Sequence, residues 1–401
     1  MSRFFHSLFT QVVKKRKMCY DEKEHKGGIK MTLNSFMPVK LIIGAGCVRA
    51  SAEELARVGD ICLIVTGKKS AKISGALQDV TDTLDLNGQR WFLFDEIGAN
   101  PKLTDCIRAA EKAIAAGVDF VLGIGGGSAL DAAKCIAVLA ANPGLTQAQL
   151  YAFDWTNAPL KIVTVGTTAG TGSEVTKVSV ITTPDGRTKS FHHEAIFHTL
   201  SLGDPNYTMS LPSTVTRSTA VDVLAHCAES FFSRSANHLS RCYAIEGIRL
   251  LLRVFHFIEE KGFNNLDYDT REKLYCASIY GGLAINVTGT CFPHTMGYLL
   301  TETFGITHGT ACAVFQKDFY EYNKSVVPEL AAEFLARIGS SEEEYFSLIE
   351  KLTPPCDILM SEEQITQAHG RWIGNGSIAK CQGIFSADMA DAILKQKFLR
   401  E

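Results

Sequence analysis

The chain has 401 residues, enough for two domains that each bury a proper core. Hydrophobic residues make up 46% of it and charged residues 21%, with a net charge of -3, an ordinary globular balance that gives no footprint for nucleic acid. No apolar run reaches the roughly 20 residues of a membrane span. The 12 cysteines form no CxxC pair and read as free thiols of a reducing, cytoplasmic compartment.

Residues 1–30 carry eight Lys/Arg against three Asp/Glu. A basic amphipathic start of this kind resembles a transit peptide, but the acidic cluster Asp21, Glu22 and Glu24 argues against that. The expectation is a poorly ordered extension ahead of a domain that starts near Met31. From 40 to 205, ICLIVT (61–66), WFLF (91–94), DFVLGIG (119–125), KIVTVGT (161–167) and VSVITT (178–183) read as strands. Between them, 70–86, 104–117 and 128–141 carry the 3.6-residue spacing of helices. Such alternation predicts an α/β domain with a parallel sheet, helices lying on both faces. After LGDPNYTMSLP (202–212) the strand signals stop, and 213–235, 238–262, 269–287 and 308–323 read as helices. The chain therefore divides into an α/β dinucleotide-binding domain over 31–205 and an all-α domain over 206–401, with a ligand expected in the cleft between them.

Two loops carry the nucleotide reading. GIGGGSALDAAK (123–134) follows a buried strand, and Gly125, Gly126 and Gly127 remove side chains where a helix begins. Ser128 is a good N-cap residue, and free N–H groups at such a start suit a phosphate or pyrophosphate. The pattern is not GxGxxG, so that fingerprint lends no support. Asp131 and Lys134, three apart on one helix face, read as a surface pair or as residues that shape the site. TTAGTGSE (167–174), which contains Thr167, Thr168 and Thr171, also follows a strand. Two such loops at the carboxyl edge of one sheet point to a dinucleotide.

The chemistry lies in the helical half. DVLAH sets Asp222 and His226 four apart on one helix face, a spacing that by itself also describes a hydrogen-bonded pair. FPHTMGYLLTETFGITHG supplies His294 and His308, which on one unbroken helix would stand about 21 Å apart. Gly305 offers the break that folds His308 back. One carboxylate and three imidazoles suit a borderline divalent ion, iron(II) or zinc(II). His6, His25, His192, His193, His198, His238 and His369 lack such company and read as surface or loop residues.

GGGSALDAAK, TTAGTGSE, DVLAHCAE and PHTMGYLLTETFGITHG, in that order, resemble the signature blocks of the iron-containing (group III) alcohol dehydrogenases. The resemblance runs from about Leu33 to the C-terminus. It implies the dehydroquinate-synthase-like two-domain architecture, with an α/β nucleotide-binding domain, a helical domain and a divalent metal between them. It implies Asp222, His226, His294 and His308 as ligands, through which the metal does its catalytic work. It implies the first glycine loop as the pyrophosphate segment, with Gly125, Gly126, Gly127, Ser128 and Asp131, and Thr167 and Thr168 toward the nicotinamide, with Thr171 a further cofactor contact. Asn100 and Lys189 fall where the family has further cofactor contacts. The activity implied is hydride transfer between a nicotinamide and a small alcohol or aldehyde, in a homodimer or larger homo-oligomer. Tyr298 stands where some members have a second histidine, and Gly166 where proline is usual, a change expected to affect loop stiffness. A lyase of the dehydroquinate-synthase type would need a basic cluster that the helical half lacks, and a zinc-dependent glycerol dehydrogenase would have fewer protein ligands.

The acid that in this family selects NAD is replaced by Gly67, followed by Lys68 and Lys69. The expectation is NADP in preference to NAD, the lysines pairing with the 2′-phosphate.

Overall fold

All of Ile61–Thr66 except its first residue is buried, an uninterrupted apolar run that marks a strand covered on both faces. The computed structural model describes residue 33 and residues 35–399. The extension expected over 1–30 lies outside them. Eight strands occur among the described residues: β1 (Lys40–Ile43), β2 (Ile61–Thr66), β3 (Arg90–Phe94), β4 (Phe120–Gly125), β5 (Lys161–Gly166), β6 (Val178–Thr182), β7 (Thr188–His192) and β8 (Leu200–Gly203). Six form one sheet in the order β1-β8-β5-β4-β2-β3. Every pairing in it is parallel.

Alternate residues of each inner strand feed opposite faces, as the two-residue period of a strand requires. Leu63, Val65 and Val121 pack with Ala109, Ala133 and Ile136 on one side. Cys62, Ile64, Leu122 and Ile124 pack with Val48, Val80 and Leu84 on the other. From β2 the chain moves outward to β3 and returns to β4 on the far side of β2, so the strand order reverses between β2 and β4. Ligands of such sheets lie beyond the carboxyl ends at that reversal. Gly67 and Gly125 stand there.

Three expectations change. VSVITT does form a strand, but β6 pairs antiparallel with β7 in a separate hairpin and never joins the main sheet. β1 and β8, four residues each, were not expected, and β8 fills the place beside β5. The helical pattern over 70–86 breaks into Ser70–Ile73 and Ala76–Leu86 at Gly75, whose φ of +84° stops the first piece.

Beyond residue 212 the described chain has helices and turns. Those that build the site are α2 (Ser213–Phe232), α3 (Tyr268–Thr288), α4 (Phe292–Phe304) and α5 (His308–Ala313), with α1 being Gly127–Ala141 in the α/β half. The pattern over 308–323 divides into α5 and Gln316–Val326. α3 packs on the loop after β5 so closely that a Cβ on Gly172 or Gly282 would overlap the facing backbone. The Gly172 N–H also donates to Ser278 Oγ at 3.2 Å. Glycine on both sides of this contact sets how near the helical half comes to the loop.

Candidate metal centre and nucleotide loops

α4 ends at Gly305, which takes the left-handed conformation with φ +69°. That turn lets α5 start again at His308, as the break in the sequence required. Gly309 then lies against α2, and a Cβ there would overlap the Ser218 carbonyl oxygen and press on Asp222 Cβ. A bare backbone at 309 is what brings His308 up to Asp222.

The four residues singled out as ligands meet at one atom. Asp222 Oδ1 lies 3.5 Å from His294 Nε2, 3.9 Å from His226 Nε2 and 4.0 Å from His308 Nε2. The rings of His226 and His294 stack at 4.7 Å, and His294 meets His308 edge-on at 5.3 Å. Asp222 Oδ1 and His294 Nε2 are buried with no hydrogen-bond partner. A buried acceptor and a buried ring nitrogen facing each other unpaired are costly unless a further group joins them. Donors of this chemistry fit a divalent ion. The His308 side chain is 29% exposed against 4% for Asp222, so the cluster opens to solvent on the His308 side.

The charges agree with this fit. Burial alone would raise the Asp222 carboxyl, but the surrounding imidazoles hold it below the usual carboxylate range. Burial pushes His226 down to about 4. Burial also acts to lower His294, but Cys312 and the Glu229 carboxylate outweigh it and hold the ring above the ordinary histidine range. A divalent ion would displace that proton, since ligands bind deprotonated.

Two further residues, outside the four, stand against the cluster. Glu229 is fully buried, receives His294 Nδ1 at 2.6 Å and the Cys291 N–H at 2.7 Å, and so orients a ligand ring while capping the start of α4. It lies seven residues, two turns, beyond Asp222, and that spacing was the available clue. Cys312 is one turn beyond His308, with Sγ 3.8 Å from Nε2 and 3.9 Å from Nδ1. Tyr298 stacks on the His308 ring at 5.0 Å and 22°, forming an aromatic wall at the open side.

The glycine loop begins its helix one residue earlier than expected. α1 starts at Gly127 with Gly126 in the capping position and no side-chain cap, so Ser128 lies inside the first turn. The first N–H groups of α1 are therefore left to a ligand rather than to a hydroxyl. Gly125 pairs with Gly166, and the Thr167 N–H donates to the Gly125 carbonyl at 2.9 Å, which sets the two loops side by side. A Cβ at Gly126 would come 2.7 Å from Thr168 Oγ1, and one at Gly127 2.6 Å from Thr171 Cγ2. Thr167 Oγ1 is buried and has no partner, an orphan at the carboxyl end of β5. These loops fit a nucleotide with phosphates on the first and polar groups on the second.

Asp131 and Lys134 are not a surface pair. Lys134 is wholly buried, and its ammonium donates to Ser173 Oγ at 2.7 Å, the Val178 carbonyl at 2.6 Å and Thr176 Oγ1 at 3.2 Å. Asp131 accepts from Ser173 Oγ at 2.6 Å and the Val180 N–H at 3.0 Å. Together they fasten the second loop to α1, so Asp131 shapes the cradle and its oxygens are engaged within the protein. Gly166 has a steric reason as well as any effect on stiffness: a Cβ there would overlap Tyr275 Oη and Glu174 Oε1, themselves hydrogen-bonded at 3.0 Å.

Asn100, at φ +55°, accepts from Thr182 Oγ1 through its carbonyl, while Lys189 faces Ile181 across the hairpin with its side chain exposed. The hairpin therefore carries Lys189 and bonds the Asn100 carbonyl. Its Thr188 N–H donates to Glu302 Oε1 of α4 at 2.8 Å. Gly67 follows β2 and is half-buried, and Lys68 and Lys69 are exposed. His198 departs from expectation: it is 1% exposed, with Nδ1 2.9 Å from the Glu174 carbonyl.

Residues 38–205 match the iron-containing alcohol dehydrogenase family, and residues 216–365 match the C-terminal region of the Fe-containing alcohol dehydrogenase family. A 4-hydroxybutyrate dehydrogenase from Cupriavidus necator is 30% identical over 286 residues, covering 69% of this chain and 74% of that protein. Among solved structures, an iron-containing alcohol dehydrogenase from Thermotoga maritima superposes with a TM-score of 0.84 at 30% identity, over 90% of this chain and 98% of that one. Sulfoacetaldehyde reductase from Bifidobacterium kashiwanohense in complex with NAD+ gives 0.80 at 27% identity, over 91% and 98%. The chain belongs to the iron-containing alcohol dehydrogenase family.

Proposed function

We propose that the chain interconverts a small alcohol and its aldehyde, with the nucleotide on residues 31–205 and a divalent ion on residues 206–401, held by Asp222, His226, His294 and His308. The family makes it a nicotinamide-linked alcohol dehydrogenase or aldehyde reductase. One observation carries the metal assignment: three imidazole nitrogens stand 3.5–4.0 Å from one buried, unpartnered carboxylate oxygen. The donor set suits iron(II), with zinc(II) the alternative. When bound, such an ion supplies Lewis acidity toward an alcohol or carbonyl oxygen, and the nicotinamide exchanges hydride.

The rest is the work of this chain's own groups. Glu229 fixes the His294 ring by accepting from Nδ1, so that Nε2 faces Asp222. Tyr298 covers one face of His308 and narrows the approach from solvent. The first N–H groups of α1 would receive pyrophosphate, and Thr167 Oγ1 would bond the nicotinamide end. Asp131 and Lys134 keep the second loop at the distance both loops need.

NADP is the cofactor we favour, because Gly67 leaves no acid at the end of β2 and Lys68 and Lys69 stand exposed beside it. The free thiols of the described residues support a reducing compartment, the cytoplasm. No helix of the described residues is long and apolar enough to cross a membrane. Steady-state rates with a panel of primary alcohols and aldehydes and both nicotinamides test the reading. Turnover is expected with at least one class of small alcohol, and no nicotinamide-linked turnover with any of them would overturn it.

A further inference from the structure

We propose that Cys312 is a further protein donor to the ion, which makes the centre a mixed nitrogen, oxygen and sulfur site and shifts its preference toward zinc relative to the same centre without the sulfur. The proposal rests on the metal reading above and names a ligand outside its four.

Cys312 follows His308 by four residues on α5, so both side chains leave the same face of the helix. Ligand atoms of Asp222, His294, His308 and Cys312 all lie within 4.8 Å of one another, and His226 stands outside that tight group, beside Asp222. Donors that share one ion at 2.0–2.3 Å stand about 3–3.6 Å apart. The separations here of 3.5 Å for Asp222 to His294, 3.8 Å for His308 to Cys312 and 4.0 Å for Asp222 to His308 need only a small contraction. Two members of the group, Asp222 Oδ1 and His294 Nε2, are more than nine-tenths buried, unpartnered and turned toward the same point.

Space for the sulfur is built in. Gly297 of α4 faces Cys312, and a Cβ there would come 2.9 Å from Sγ. Sγ is almost equally far from both ring nitrogens of His308, which sets it against the flank of the ring. The step is a ligand addition without redox change. The S–H bond breaks, its proton leaves to solvent, and a sulfur–metal bond forms. A soft thiolate favours zinc over iron(II), and geometry and ligand type select the metal.

Cobalt(II) substitution in the full-length protein tests this, because thiolate ligation adds a near-ultraviolet charge-transfer band to the visible ligand-field bands. The wild type is expected to show both. Cys312→Ser and Cys312→Ala are expected to keep the visible bands, lose the charge-transfer band and take up a lower ratio of zinc to iron from an equimolar mixture. Visible bands without a charge-transfer band in the wild type, or a band that survives both substitutions, would overturn the Cys312 assignment and leave the metal centre standing. A wild type without visible bands would overturn both.

Discussion

Glu229 Oε1 stands 2.6 Å from His294 Nδ1 while Oε2 accepts the Cys291 N–H at 2.7 Å, so one buried carboxylate both orients a ligand ring and starts the helix that carries it. Its two oxygens face donors on each side, with Gln316 Nε2 a third at 3.3 Å. Glu229→Gln puts an amide donor against one of them. The expected result is a loss of about 10- to 100-fold in metal affinity, measured by chelator competition, with the far-ultraviolet circular dichroism unchanged. Unchanged affinity would mean that His294 is held by its packing alone.

The nucleotide loops answer to sterics. A side chain at Gly126 or Gly127 would meet Thr168 or Thr171 of the neighbouring loop at 2.6–2.7 Å. Gly127→Val should weaken nicotinamide nucleotide binding about tenfold or more, about 1.4 kcal/mol, in a fluorescence titration. Metal content should stay the same, because the ligands come from α2, α4 and α5.

Cofactor preference is tested at Gly67. A Cβ there lies 3.0 Å from the Ile97 carbonyl oxygen, so any substitution presses on the backbone, and Gly67→Ala serves as the steric control. Relative to that control, Gly67→Asp should weaken NADP by about 1–3 kcal/mol through repulsion of the 2′-phosphate. Measuring kcat/KM with both cofactors decides it. A wild type that prefers NAD tenfold would contradict the assignment.

His198 supplies a pH dependence of stability. Burial, then the nearby charge of Lys134, holds its folded pKa well below the ordinary value. The unfolded ring titrates near ~6.5, so below that pH the unfolded chain takes up a proton that the folded one refuses. Stability present above ~6.5 is therefore lost as pH falls. His198→Asn should flatten this loss between about pH 7 and 5 in urea unfolding midpoints, whatever its effect at neutral pH. An equally steep loss in the variant would place the acid sensitivity elsewhere.

Much of the site was legible because its signals are local. Asp222 and His226 share a helix face by spacing alone, and Gly305 announced the break that returns His308 to them. The three glycines after β4 carried the strand-to-helix junction. What stayed hidden depends on packing between distant segments. The burial of Lys134 comes from the loop at 173–178 closing over α1, and nothing at 131–134 signals it. The separation of β6 from the main sheet follows from its pairing with β7, two strands that read alike whichever sheet they join. β8 is too short to show a period, and its place is fixed by β5 and β1 on either side. Glu229 and Cys312 sit at helical spacings from ligands, but seven and four residues also describe ordinary core contacts.

The most direct measurement is removal and return of the ion. Protein stripped by a chelator and dialysed should oxidise a good alcohol substrate at a small fraction of the starting rate. Stoichiometric iron(II), added without oxygen, or zinc(II) should restore the rate at one ion per chain in the wild type but not in Asp222→Ala. A stripped protein, shown by elemental analysis to hold no metal, that turns over at the full rate would contradict the account.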